Sequence, residues 1–271
     1  MGSINAIPES IQSLKINLLY HYFNIRINQI ADPFSARFRR DPYQYLFVLS
    51  HMRSGSSLFS HILNSNPEII GYGETHINYD SVTNFKDLQF KVYWQLKDIS
   101  MTHRYILDKI LHNHKITDST ILKTSNLSTI FLIREPVGTI SSILEIKPHW
   151  SEQKAVDYYC QRLQCLVNYA QIIDNASHCL MITYEQLLNS SDSVFRQLQQ
   201  FLKTKQGFSA NYQVLRTTGM RGIGDSSENI KAGRIIKPKK PNHFSLSETA
   251  IAQTKAVFAR CKQELEQQCM Q

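Results

Sequence analysis

The chain has 271 residues, five cysteines and a formal net charge of +8, with a pI of about 9.2. That length supports one α/β domain with a sizeable core, and an odd cysteine count without CxxC spacing argues against a disulfide framework and for a reducing compartment. No apolar run approaches the roughly 20 residues of a membrane span, and the basic balance suits a polyanionic ligand. The N-terminus lacks the pattern of a secretory signal, and Ala6 stands where myristoylation wants Ser or Thr, so the expected location is the cytoplasm, with no stable membrane insertion. Nucleic acid is the usual alternative partner of a basic chain, but neither zinc-type Cys/His spacing nor an aromatic RNP pattern is present, and none is expected here.

Residues 11–30 are apolar at many positions, interrupted by Lys15 and Arg26, and predict an amphipathic helix packed on the domain, with contact to a membrane surface as the lesser alternative. Residues 45–49 (YLFVL) read as a buried strand that ends at a small polar turn around Gly55, after which Leu58, Ile62 and Leu63 recur at helical spacing. A helix therefore starts near Ser56. A second strand is expected over 68–72, just before Glu74, and the segment 82–99 shows mixed helical periodicity. The run YILDKILHN places Asp108 and Lys109 at the end of a third strand, and residues 127–144 repeat the first design with Arg134 at the strand end and a helix carrying Ser141 and Ser142. Helices follow over 155–173 and 247–266, separated by MITYEQLL with Tyr184 and by a basic stretch in which residues 231–240 hold five positive charges. Strands alternating with helices imply a mostly parallel sheet covered on both faces, a three-layer α/β sandwich.

The turn after the first strand is chemically suited to an oxyanion. Helix N-terminal amides point back at the strand end, Gly55 permits close backbone approach, Ser54, Ser56 and Ser57 offer hydroxyls, and Arg53 adds a forked cation. A nucleoside-triphosphatase reading fails on the residues. In a GxxxxGK[ST] alignment the first Gly is Ser50, the second is Gly55, and the lysine position is Ser56. A frequent, functionally silent strand-to-helix connection remains open for the turn alone. The histidines His51, His76, His112 and His114 lack a third-ligand pattern, so no metal is expected.

Together, the two strand–turn–helix segments resemble the 5'-phosphosulfate and 3'-phosphate motifs of sulfotransferases that use 3'-phosphoadenosine 5'-phosphosulfate (PAPS). In that family an Arg at a strand end and a Ser eight residues later hold the 3'-phosphate, the spacing of Arg134 and Ser142. The resemblance covers residues 45–240 and implies a P-loop-like fold, PAPS as donor, PAP as product, and a small-molecule acceptor. It also implies site roles. Arg53, Ser54, Gly55, Ser56, Ser57, Arg134, Ser142 and Tyr184 would hold the donor, with Ser226, Ser227, Lys231, Arg234 and Lys237 on a loop that covers it. Glu74, which follows Arg53 by 21 residues, matches the position of a catalytic Glu in tyrosylprotein and some carbohydrate sulfotransferases, with Lys109 and Arg53 assisting. The implied division is a helical extension (1–44), a core with both motifs (45–206), a covering loop (207–243) and a closing helix (244–271).

The sequence departs from the cytosolic aryl and steroid enzymes, which carry a Lys at the Arg53 position and use a His base; His76 is the nearest substitute. Ile146 and Lys147 stand where some relatives place an additional Arg. Acceptor-lining candidates are His76, Tyr79, Trp94, His112 and Trp150. Within the enzyme class, the acceptor is expected to be a natural product such as an alkaloid, with a sugar or peptide tyrosine as the alternative. From another class, a silent module that binds a 3',5'-bisphosphonucleotide would need neither Glu74 nor Lys109.

Overall fold

The computed structural model describes residues 9–220, 227–237 and 246–270. Its first elements are the helix α1 (Glu9–Phe23), extended by a π turn over Asn24–Asn28, and the strand β1 (Gln44–Ser50). Along β1, Tyr45, Phe47 and Leu49 enter one apolar cluster while Leu46 and Val48 enter another. Side chains alternate across a strand, so a strand that is apolar at every position must be covered on both faces. That is the physical content of the continuous run at 45–49.

The chain continues through α2 (Ser56–Asn64), β2 (Ile69–Ile70), α3 (Asn84–Leu96), β3 (Tyr105–Ile110), β4 (Leu127–Ile133), α4 (Pro136–Ile146) and α5 (Glu152–Ile173). It then forms β5 (Cys179–Thr183), α6 (Tyr184–Asn189), α7 (Ser191–Leu202), the short α8 (Glu228–Lys231) and α9 (Glu248–Gln268). The sheet order is β2-β3-β1-β4-β5, and the pairings among these five strands are parallel. Residues of α3, α4, α5 and α9 pack on one face, and those of α2, α6 and α7 on the other. The expected three-layer α/β sandwich is therefore present. The strand expected over 68–72 is shorter, because only Ile69 and Ile70 pair with β3.

This topology locates the site before any side chain is considered. From β1 the chain moves outward to β2, returns to β3, and then crosses to β4 on the other side of β1. Loops leaving the carboxyl ends of β1 and β4 diverge there, and the crevice between them is where open α/β sheets bind ligands. Arg53 follows β1 and Arg134 follows β4, so the crossover brings together residues 81 positions apart.

A residue from α5 secures the strand ends. Arg162 is 1% exposed, and its guanidinium donates to the carbonyl oxygens of Ser50 (2.8 Å) and Ile110 (2.8 Å) and to Asn113 Oδ1 (2.9 Å). Its bonds tie β1 to β3 where both enter the cleft. Arg162→Met would leave those carbonyls buried and unpaired, so a denaturant melt should show a loss of about 2–4 kcal/mol. A loss below about 0.5 kcal/mol would show that water replaces the guanidinium.

The helix expected over 11–30 is present as α1 and the π turn, and it lies against the domain. It packs through Leu19, Tyr22 and Phe23, with Ile27 following in the π turn, whereas Leu14 and Leu18 face solvent. Among the described residues no helix is long and apolar enough to cross a membrane.

Candidate active site

The turn after β1 has a strained backbone and is joined to its neighbours by hydrogen bonds. Arg53 has φ +61°, a left-handed conformation that costs a non-glycine residue about 1–2 kcal/mol. Two bonds accompany it. Arg134 Nη1 donates to the Arg53 carbonyl oxygen at 3.0 Å, and Arg53 Nε donates to Ser142 Oγ at 2.8 Å. The two motifs are thus physically joined. Gly55 follows at φ +86°, and a Cβ there would overlap the Tyr184 ring, so both conformation and space require glycine. The Arg134 guanidinium lies 4.4 Å from the centroid of that same ring.

The two helix starts are not equivalent. Gly55, the N-cap of α2, provides no side-chain cap, so the first-turn amides of α2 are presented at the cleft with the helix dipole behind them. At α4, Glu135 caps its own helix, accepting from Val137 N at 3.1 Å and Gly138 N at 2.7 Å. An anion at α4 would therefore have to be held by side chains. Ser141 is 3% exposed, lines the cleft, and its Oγ has no partner among the described residues. Gly138 keeps the approach open, since a Cβ there would come within 3.0 Å of Arg134 Nη2. The orphaned Ser141 hydroxyl, two arginines and a glycine-lined wall fit a phosphate-bearing ligand, whose oxygens could accept the bond that Ser141 Oγ leaves unmade.

His51 links the halves from beneath. Its Nε2 accepts from the backbone N–H of Arg134 at 3.1 Å, which places the ring proton on Nδ1, where it donates to the Met52 carbonyl at 2.9 Å. Full burial pushes its pKa down to about 3, so the imidazole is neutral and serves as a fixed bracket.

Glu74 and Lys109 meet on the opposite wall. Lys109 Nζ lies 3.3 Å from Glu74 Oε1 and 3.4 Å from Ser57 Oγ, with the Lys109 side chain 1% exposed. A network behind them positions the carboxylate. Asp108 accepts from Thr75 N (3.0 Å), Thr75 Oγ1 (2.7 Å), Tyr79 Oη (2.7 Å) and Lys109 N (2.9 Å), which pins the residue after Glu74 to β3. Burial pushes the Asp108 pKa up to about 6 against the pull of these donors. A raised folded pKa binds protons more tightly than the unfolded chain does, so Asp108 favours the fold at low pH and loses that contribution as pH rises towards 6. Asp108→Asn should therefore make stability rise more steeply between pH 4 and 6, by up to about 1.4 kcal/mol per pH unit. Melts across that range in both proteins provide the check, and parallel curves would refute the assignment.

Between these walls lies a cleft of about 700 Å³, within the usual 300–1,000 Å³ of small-molecule sites. It is lined by Arg53, Gly55, Ser56, Ser57, Glu74, His76, Lys109, His112, Arg134, Ser142, Tyr184 and Ser227, all expected from the sequence. His112 is half-buried, and desolvation lowers its pKa. Sequence reasoning overlooked Met52 and Leu111 as wall residues. The Tyr158 hydroxyl sets them, accepting from Met52 N at 2.9 Å and donating to the Leu111 carbonyl at 3.1 Å. Ser141 had a visible signal, adjacency to Ser142, but carried no assigned role.

Seven residues are placed differently from expectation. The buried Ser54 hydroxyl packs against Ser50 inside the turn, and its side chain does not line the cleft. Tyr79 is completely buried because its hydroxyl completes the Asp108 network. Trp94 stacks on Phe90 and takes the Lys97 ammonium 3.0 Å over its ring, packing α3 against α1. Trp150 packs edge-on to Tyr158 outside the cleft. On the covering loop, Lys231 turns to Glu228 at 2.7 Å, and the wall is made by Ser227, Asn229, Ile230 and Ile236 in place of Lys231, Arg234 and Lys237. Ser226 lies outside the described residues. Among those residues no group of three or more His, Cys, Asp or Glu is arranged for a metal.

A parallel five-stranded sheet with paired strand–turn–helix motifs at its crossover defines a sulfotransferase-like fold. The chain is similar to the sulfotransferase domain from the curacin biosynthetic pathway (TM-score 0.53, 18% identity, 84% of this chain and 99% of that one). It is likewise similar to the sulfotransferase domain of the Synechococcus PCC 7002 olefin synthase (TM-score 0.55, 19% identity, 82% and 96%). No protein-family pattern matches the chain, and no curated protein sequence does.

Proposed function

We propose that this chain is a PAPS-dependent sulfotransferase acting on a hydroxyl or amine of a small molecule. The observation that carries the reading is the joining of the two anion motifs across one cleft, with Arg53 Nε on Ser142 Oγ at 2.8 Å and Arg134 on the Arg53 carbonyl. Two anion-holding centres that share a wall suit a nucleotide phosphorylated at both ends of its ribose. The donor supplies an activated sulfuryl group when bound. The α2 amides and Arg53 hold the 5' end, Arg134, Ser142 and Ser141 hold the 3'-phosphate, and Tyr184 presents a ring face beside Arg134.

Glu74 is the proposed base. It takes the proton of the acceptor as the acceptor oxygen or nitrogen attacks sulfur, while Lys109 stabilises negative charge on the oxygen that sulfur leaves. Sulfuryl transfer, like phosphoryl transfer, depends chiefly on positioning and charge stabilisation. The Asp108 bracket serves the first, and the buried Lys109 serves the second. Met52, Leu111 and His112 would wall the acceptor. A natural-product acceptor agrees with the biosynthetic pathway named for the curacin domain.

Calorimetric titration with PAP, AMP and ATP tests the donor assignment. The 3'-phosphate is expected to add about 1.5–3 kcal/mol over AMP, roughly 10- to 150-fold in Kd. ATP binding as tight as PAP would overturn the reading.

A further inference from the structure

Six of the eleven large hydrophobics exposed among the described residues fall between positions 14 and 38, and three of these, Leu14, Leu18 and Phe38, border one surface through Tyr22 and Arg26. Leu14 and Leu18 (61% exposed) lie one turn apart on α1, and Tyr22 continues their row. The Tyr22 hydroxyl donates to the carbonyl of exposed Ile99 at 2.8 Å, and the Arg26 guanidinium sits 5.5 Å from the Tyr22 ring and 5.7 Å from that of Phe38. The row thus runs into Phe38, which is 81% exposed at the tip of the loop ARFRR.

Phe38 has φ +66°, a strained backbone that points a large apolar ring outward, with Arg37 5.2 Å from the ring. Lys15, Arg37 and Arg40 are exposed beside the patch, and none is in an ion pair among the described residues. Of the two acids in this stretch, Asp32 turns its carboxylate onto Ser35 and the Phe34 amide and Asp41 is exposed after Arg40, against the cations Lys15, Arg26, Arg37, Arg39 and Arg40. The surface is therefore apolar with a cationic border.

We propose that this surface docks on an anionic lipid bilayer, with Leu14, Leu18 and Phe38 entering the interface and Arg37 and Arg40 meeting headgroup phosphates and carboxylates. The helix lies on such a surface and does not span it. Charge argues against a second copy of the chain, because a two-fold contact sets each patch against itself and would oppose arginine to arginine. Helical phase argues against a protein groove. Exposed Ile16 sits about 200° around α1 from Leu14, a wider apolar arc than a groove-bound stripe presents, whereas hydrocarbon accepts any apolar face.

The test is flotation of the full chain with vesicles of phosphatidylcholine alone or mixed with phosphatidylserine. The chain should float with the anionic vesicles only. Leu18→Ser with Phe38→Ser should reduce the partition at least tenfold or so, and Arg37→Gln with Arg40→Gln about 30-fold, at unchanged melting temperature. Failure of the wild type to float with anionic vesicles, or variants that float as well as wild type, would overturn the proposal. So would a concentration-dependent dimer abolished by the Leu18/Phe38 variant, which would assign the surface to self-association.

Discussion

Replacing Arg134 with alanine should weaken PAP binding by about 2–4 kcal/mol, roughly 30- to 1,000-fold in Kd, while AMP binding changes far less. The guanidinium is held in place by the Arg53 carbonyl on one side and the Tyr184 ring on the other, so its donors are pre-aimed. Lysine at this position should not rescue binding. A point charge cannot bond the Arg53 carbonyl and a phosphate with the same planar fork. Calorimetry on the three proteins, with melts to confirm folding, decides the matter. Equal losses for PAP and AMP would mean that the substitution collapses the turn after β1 and removes no specific phosphate contact.

Glu74→Gln should lower kcat by about 10²- to 10⁴-fold with PAP affinity within a few-fold of wild type. Glutamine keeps the shape and the Thr75–Asp108 bracket behind it but cannot take a proton. It also leaves the buried Lys109 ammonium without its carboxylate partner 3.3 Å away, so some loss of stability is expected alongside. Separating the two effects requires single-turnover rates at saturating donor. If kcat falls less than about tenfold, Glu74 is a partner of Lys109 and His76 or His112 becomes the candidate base.

Much of the donor side was legible in the linear sequence because its determinants are local. The apolar run at 45–49, the Gly55 turn and the restart of apolar periodicity at Leu58 each act over a few residues, and α2 begins at Ser56 as those residues imply. The acceptor side was not legible in the same way. Tyr79, Trp94 and Trp150 are aromatic residues near cleft segments, and aromatic type alone does not say whether a ring faces a cavity or a core. Burial decided it: Tyr79 closes the Asp108 network, while Trp94 and Trp150 pack against neighbouring helices. Ser54 shows the same limit at smaller scale, since four consecutive turn residues cannot all face one ligand and its hydroxyl turned to Ser50.

By itself the sequence determined the strand–turn–helix units, their glycine and their arginines, because backbone preference and hydrophobic period operate between near neighbours. It likewise determined the parallel α/β class, through continuous apolar strands that demand cover on both faces. Tertiary structure alone decided that Arg53 touches Ser142, that His51 brackets Arg134, that Arg162 ties β1 to β3, and that Lys109 reaches Glu74. These contacts join residues 35 to 112 positions apart: Lys109 meets Glu74 because β2 and β3 are neighbours, and Arg53 and His51 meet the β4 side because the β3-to-β4 crossover sets β4 beside β1.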